Sequence, residues 1–132
     1  MVGINRFVNV VVRALRLRRF RGGDLLYLTT VGRTPGKPRT TPLIYLADGD
    51  RWIVVASNGG SDWEPGWWLN LRAGTDAKID VRGHKVPVAG TELDGDEREA
   101  MWRRLNADLF DFDSYQRKVS RRIAVVALTP TT

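Results

Sequence analysis

Residues 26–45 read "LYLTTVGRTPGKPRTTPLIY". Two strand-like apolar runs flank a loop holding two glycines, two prolines and three cations. A plain hairpin closes with a two-residue turn, so Arg33, Lys37 and Arg39 need a reason of their own. The loop is not a nucleotide triphosphatase motif. Gly32 and Gly36 stand one residue too close, and Pro38 follows Lys37 where Ser or Thr is required. Two readings remain: a solvated basic loop, or a cradle for phosphate or carboxylate through charge-assisted hydrogen bonds.

Outward from this loop the pattern continues in strands. Residues 25–30, 40–47, 52–57, 78–82, 85–92 and 123–129 are short, rich in β-branched and aromatic residues, and bounded by turn residues. Asp48-Gly49-Asp50 and Arg82-Gly83-His84 read as tight turns. Six such strands in one small chain predict an antiparallel barrel, which removes exposed sheet edges. Two helices interrupt them. Pro65 and Gly74 bracket one through residues 67–72. Asp94 with Glu97 predicts a capping box for the other, with Met101, Leu105 and Leu109 as its apolar stripe. The segment "FDFDSYQRKVSRR" is expected to continue helically. The fold class is therefore α+β, a single domain over residues 1–132 with a barrel over 24–132.

Ahead of the barrel, Ile4, Phe7, Val8, Val11 and Leu15 recur at helical spacing, so residues 3–20 read as a helix. Residues 1–39 hold nine Arg or Lys against one Asp, a balance of +8, while residues 40–132 hold twelve against fourteen acids. The whole net charge of +6 thus comes from the first third, the part expected to attract an anion. Residues 1–21 either lie over the core with a basic edge or touch a membrane surface or partner. No apolar run approaches the roughly 20 residues of a membrane span, and no signal-peptide pattern opens the chain. A cytoplasmic protein, at most associated with the inner membrane face, is expected.

Several chemistries are excluded by supply. The chain has no cysteine, so disulfides, thiolate metal sites and cysteine nucleophiles are absent. His84 is the single histidine, in an expected turn, which leaves neither a metal cluster nor a serine triad. The acids between Asp94 and Asp113 have the spacing of a solvated helix face. An enzyme built from these residues draws its reactive atom from a cofactor. The stretch "VVASNGGSDWEPGWWLNL" points the same way. Asn58-Gly59-Gly60 after a strand end allows close backbone approach to a ligand. Trp63, Trp67 and Trp68 are either core residues or a platform for a planar heterocycle.

Taken in order across residues 25–128, "TTVGR..GKPR..PL", "ASNGG", "WWLNL" and "DSYQRKVSRRI" resemble the deazaflavin-dependent nitroreductase family of actinobacteria. The resemblance implies an FMN-binding-like split β-barrel and reduced coenzyme F420 as cofactor, a deazaflavin with a phosphate and an oligoglutamate tail. It implies Arg33, Lys37 and Arg39 at the tail, and Thr41, Pro42, Ile44, Ala56, Ser57, Asn58, Gly59 and Gly60 along the ring. Trp67, Trp68 and Asn70 would close the far side, Phe112 and Tyr115 would meet the substrate, and Tyr115 or Ser57 would supply a proton. Tyr115 reads equally as a packed tyrosine.

The chain departs from the family resemblance at Thr34 and Asn58, where relatives usually carry lysine, and at Leu109 and Phe112, which align with two of the three wall tyrosines of some members. A quinone or enone acceptor is therefore expected before a nitroimidazole. FMN on the same barrel, as in pyridoxamine-phosphate oxidase-like proteins, is the first alternative. A non-enzymatic barrel binding single-stranded nucleic acid is the second, disfavoured because the tryptophans cluster around one helix. The expected partners are a small-molecule substrate, no nucleic acid, and at most a second copy of the chain.

Overall fold

The computed structural model describes residues 19–20, 23–32 and 37–131 of the 132-residue chain. The strands are β1 (Arg19–Phe20), β2 (Gly23–Val31), β3 (Pro38–Ile44), β4 (Leu46–Asp48), β5 (Arg51–Val55), β6 (Ala77–Val81), β7 (His84–Glu92) and β8 (Val125–Pro130). The helices are α1 (Gly66–Arg72), α2 (Gly95–Asp108) and α3 (Phe112–Gln116), with one 3-10 turn at Asn58–Gly60. Most of the expected helix over residues 3–20 lies outside the described residues. Arg19 and Phe20, placed at its end by the sequence, instead pair antiparallel with Asp24 and Gly23.

Every ladder is antiparallel, and the strands follow one another in the order β3, β2, β6, β7, β8, β5, β4. β3 and β4 are consecutive in the chain, so the two ends of this order are joined covalently and the sheet closes as a barrel. Tyr45 is the corner. It is 6% exposed, its N–H donates to Asp24 O at 3.1 Å, and the next residue, Leu46, already pairs with Ile53 on β5. Residues 40–47, expected as one strand, are therefore two, each serving a different neighbour. A strand that switches sheets at a bend is the usual way an antiparallel barrel turns its corner.

Period-two alternation divides the core. Leu26, Leu28, Val54, Val126 and Leu128 face the barrel interior together with Trp67, Trp68 and Leu71 of α1. Ile53, Val55, Val125 and Ala127 face the other way, onto Met101 and Leu105 of α2 and Phe112 of α3. β5 and β8 are thus buried on both faces, which explains their unbroken apolar runs. α1 lies close on β7: a Cβ on Gly90 would stand 2.9 Å from Leu71 Cδ1.

Helix ends depart in detail from expectation. Pro65 is the N-cap of α1 and not its first helical residue, while Gly74, at φ 82°, ends it as expected. Asp94 is the N-cap of α2 but makes no side-chain capping bond; Asp96 and Glu97 instead place negative charge in its first turn. The helical continuation expected after residue 112 stops at Gln116. Its side-chain amide donates to Arg121 O at 2.8 Å and accepts from Ile123 N–H at 3.0 Å, so the segment up to β8 is held by side-chain bonds.

Candidate active site

One end of the barrel gathers the β2–β3 hairpin, the turn after β5, helix α1 and the segment before β8. Asn70 of α1 donates to Thr30 Oγ1 near the end of β2 at 2.9 Å, which ties helix to hairpin. Thr30 pairs with Arg39, and Gly32 N–H donates to Lys37 O at 2.8 Å, drawing the loop ends together. Residues 33–36, including Arg33, lie outside the described residues. Lys37 and Arg39 are exposed, and among the described residues neither has an ion-pair partner.

Alternation separates the β3 residues that the sequence assigns to one ring surface. Leu43 packs toward the barrel interior and Ile44 toward the helices. Thr41 therefore shares the inner parity, and Pro42 shares the outer parity of Ile44. Side chains of Thr41 and Pro42 thus point to opposite faces of β3, which leaves its backbone as the surface that Thr41, Pro42 and Ile44 have in common.

The turn after β5 has an unusual backbone. Ser57 is right-handed (φ −78°, ψ −28°), and Asn58, Gly59 and Gly60 follow with φ of 48°, 64° and 82°. Asparagine is among the side chains that tolerate the left-handed region; its Nδ2 donates to Trp63 O at 3.1 Å, folding the following loop back. A right-handed residue followed by left-handed ones aims successive N–H groups into one concavity, a nest that receives anionic or carbonyl oxygen. Gly60 and Ser61 N–H donate within the turn, to Ser57 O and Asn58 O. Among the described residues nothing accepts from the N–H groups of Ser57, Asn58 or Gly59. A Cβ on Gly59 would meet open space, whereas one on Gly60 would stand 3.2 Å from Tyr115 Cδ1 and 3.4 Å from Lys118 Cδ.

Arg121 secures this turn from the other side. Its guanidinium donates to Ala56 O (3.2 Å), Ser57 O (3.1 Å) and Ser61 O (3.1 Å). Partial burial lowers its pKa, opposed by the charges of Glu64 and Asp62.

Other expected site residues are placed differently from the reading of an open aromatic pocket. Trp67 (7% exposed), Trp68 (2%) and Ala56 (0%) belong to the inner core, and no described residue accepts from Trp68 Nε1. Their rings close the barrel interior and offer no free platform. Asn70 is buried as a tie between α1 and β2, with its carbonyl also taking Thr75 Oγ1 at 3.0 Å. Phe112, expected at the substrate wall, is 3% exposed and packs against α2. Tyr115 is half-buried, its ring 5.2 Å from that of Phe110, with Lys118 Nζ 5.4 Å from its centroid. Trp63 is the tryptophan that is open, at 69% exposure beside the turn. His84 is exposed at the start of β7, and among the described residues no acid or histidine cluster has the makings of a metal site.

Arg121 and Lys118 were not singled out by sequence reasoning. They lie in a run of cations that reads as solvated surface, with no spacing that marks two of them as contacts of a turn sixty residues away.

The antiparallel barrel, with a glycine turn and exposed cations at one end, is a split-barrel architecture. A solved structure described as an F420-H2 dependent reductase superposes with a TM-score of 0.70 at 29% identity, covering 82% of this chain and 94% of that one. Another, described as a domain-swapped dimer, gives 0.72 at 26% identity over 96% and 93%. The family model described as F420H(2)-dependent quinone reductase matches residues 6–130. An F420H(2)-dependent quinone reductase of Mycobacterium tuberculosis is 36% identical over 107 residues, 79% of this chain and 72% of the relative. The chain belongs to the F420H(2)-dependent quinone reductase family. Its cofactor class is therefore F420, in preference to FMN on the same barrel.

Proposed function

We propose that this protein reduces a quinone by hydride transfer from reduced coenzyme F420, bound at the barrel end that carries Lys37, Arg39 and the Ser57–Gly60 turn. The observation that carries the assignment to this end is the turn itself: three N–H groups that have no acceptor among the described residues, beside open space at Gly59. Those features fit a flat cofactor that presents carbonyl or phosphate oxygen. When bound, reduced F420 supplies the hydride.

The chain's own residues bind and orient. Lys37 and Arg39, with Arg33 on the same loop, hold phosphate and glutamate carboxylates by charge-assisted bonds. The amides of Ser57, Asn58 and Gly59 fix the position of the ring without side-chain reorganisation, which lowers the orientational cost of transfer. Trp67 and Trp68 contribute by sealing the barrel interior under α1. A quinone that accepts a hydride also needs a proton. Ser57 and Tyr115 carry the hydroxyls beside the turn that can provide it, and solvent is the other source. With Phe112 in the core, the aromatic acceptor wall belongs to the exposed residues near the turn, of which Trp63 is the largest. Because Leu109 and Phe112 stand where some members of the family carry wall tyrosines, a quinone or an enone is the proposed acceptor before a nitroimidazole.

Association of residues 1–21 with a membrane surface concerns residues almost all outside the described set. Among the described residues no helix is long and apolar enough to cross a membrane. A homodimer accords with the domain-swapped dimer among the structural neighbours. The reading is tested by following F420 absorbance with purified protein and a panel of quinones, enones and nitroaromatics. Quinone-dependent oxidation of reduced F420 is the expected result, and failure to bind F420 in either redox state would sink the proposal.

A further inference from the structure

We propose that Arg121 is a positioning residue for cofactor binding: its guanidinium sets the direction in which the amides of the Ser57–Gly60 turn point. The inference rests on the function proposed above. A trans peptide is planar, so each C=O points opposite to the N–H of the following residue. Arg121 draws Ala56 O and Ser57 O toward itself, at 3.2 and 3.1 Å. The N–H groups of Ser57 and Asn58 are thereby turned away from it, into the concavity. The third bond, to Ser61 O at 3.1 Å, pins the far end of the turn, so one side chain spans its entry and exit. Only a planar fork with five donors reaches three carbonyls in this way; a lysine ammonium does not. Arg121 is itself fixed, because Gln116 Nε2 donates to its carbonyl while Gln116 Oε1 takes Ile123 N–H. No carboxylate makes an ion pair with it among the described residues, so its role is directed at backbone.

The test is F420 titration of the full chain, read by absorbance and intrinsic fluorescence, with folding checked by circular dichroism. Arg121→Ala is expected to raise Kd at least tenfold, and millimolar methylguanidinium to recover much of that loss while leaving wild-type Kd unchanged. Arg121→Lys keeps the charge but not the fork, and is expected to lose threefold or more; it carries the test if Arg121→Ala does not fold. Arg103→Ala, an equal charge change on the exposed face of α2, is expected to bind as wild type. Wild-type affinity in Arg121→Lys, or an equal loss in Arg103→Ala, would overturn the inference while leaving the functional reading intact. A wild-type protein that does not bind F420 would overturn both.

Discussion

Two turns at opposite ends of β5 are gripped by arginines, and they use the cation differently. At the β4–β5 hairpin, Asp48 receives Arg51 Nε and Arg104 Nη1, each at 2.9 Å, and Arg51 reaches on to Glu97 at 3.0 Å. Two cations meet two carboxylates, and the cluster ties the hairpin to α2. At the turn after β5, Arg121 meets carbonyl oxygens alone. Its bonds shape backbone and leave N–H groups facing outward, beside the aliphatic stem of Lys118. A balanced ion-pair cluster is architecture. A cation hydrogen-bonded to backbone shapes the turn, and the exposed Lys37 and Arg39 make this end of the barrel attractive to an anion.

The contrast breaks most directly at Gly60. Gly60→Val places a Cβ in the left-handed region, costing about 1–2 kcal/mol, and drives it against Tyr115. Thermal unfolding is expected to fall by several degrees, and F420 affinity to fall with it; an unchanged Kd would remove the turn from the site. Next, Arg39→Ala is expected to raise the F420 dissociation constant about tenfold, equivalent to about 1.4 kcal/mol, with little change in Tm. Loss of stability without loss of affinity would make Arg39 part of the architecture instead.

At the other end of β5, Asp48→Asn should lower stability by about 1 kcal/mol and leave cofactor binding unaffected. The bonds from Arg104 and Arg51 hold the Asp48 carboxyl below its ordinary value of 3.8. A carboxyl depressed in the folded state contributes stability above its unfolded pKa and loses it as pH falls through the folded one. The gap between wild type and Asp48→Asn is therefore expected to be full at neutral pH and to close in strong acid; chemical denaturation at several pH values reads it. The smallest effect belongs to Arg82→Ala. Its pair with Asp24 spans 3.7 Å with a side chain 71% exposed, so a change of less than about 0.5 kcal/mol in unfolding free energy is expected.

Much of the barrel was legible because strands carry their own period. Leu26 and Leu28 announce an inner face, and the turn Gly49–Asp50 falls where the sequence places it. The break at Tyr45 was not legible, since tyrosine suits a strand as well as its neighbours do and only closure of the sheet demands the bend. The capping box at Asp94 failed for a similar reason: the residues are right, but the side chain makes no bond to the helix amides. At the site, the glycine turn and the loop cations were readable as residue types. The tryptophans were not, because composition says that aromatic surface exists but not which way it faces. Trp67 and Trp68, on α1, pack into the barrel, while Trp63, in the loop ahead of that helix, stays open.

Taken alone, the order of amino acids determined the antiparallel strands, their tight turns, the cationic hairpin, the glycine-rich turn and membership in an F420-using family. The strands and turns follow from periodicity and local chemistry, properties of neighbours in the chain, and the family from the ordered motifs that resemble it. Only the tertiary structure decided that Tyr45 is a corner, that Phe112 and two tryptophans are core, and that Arg121 shapes a turn from 60 to 65 residues away. Contacts at that separation depend on closing the barrel, and no local pattern encodes them.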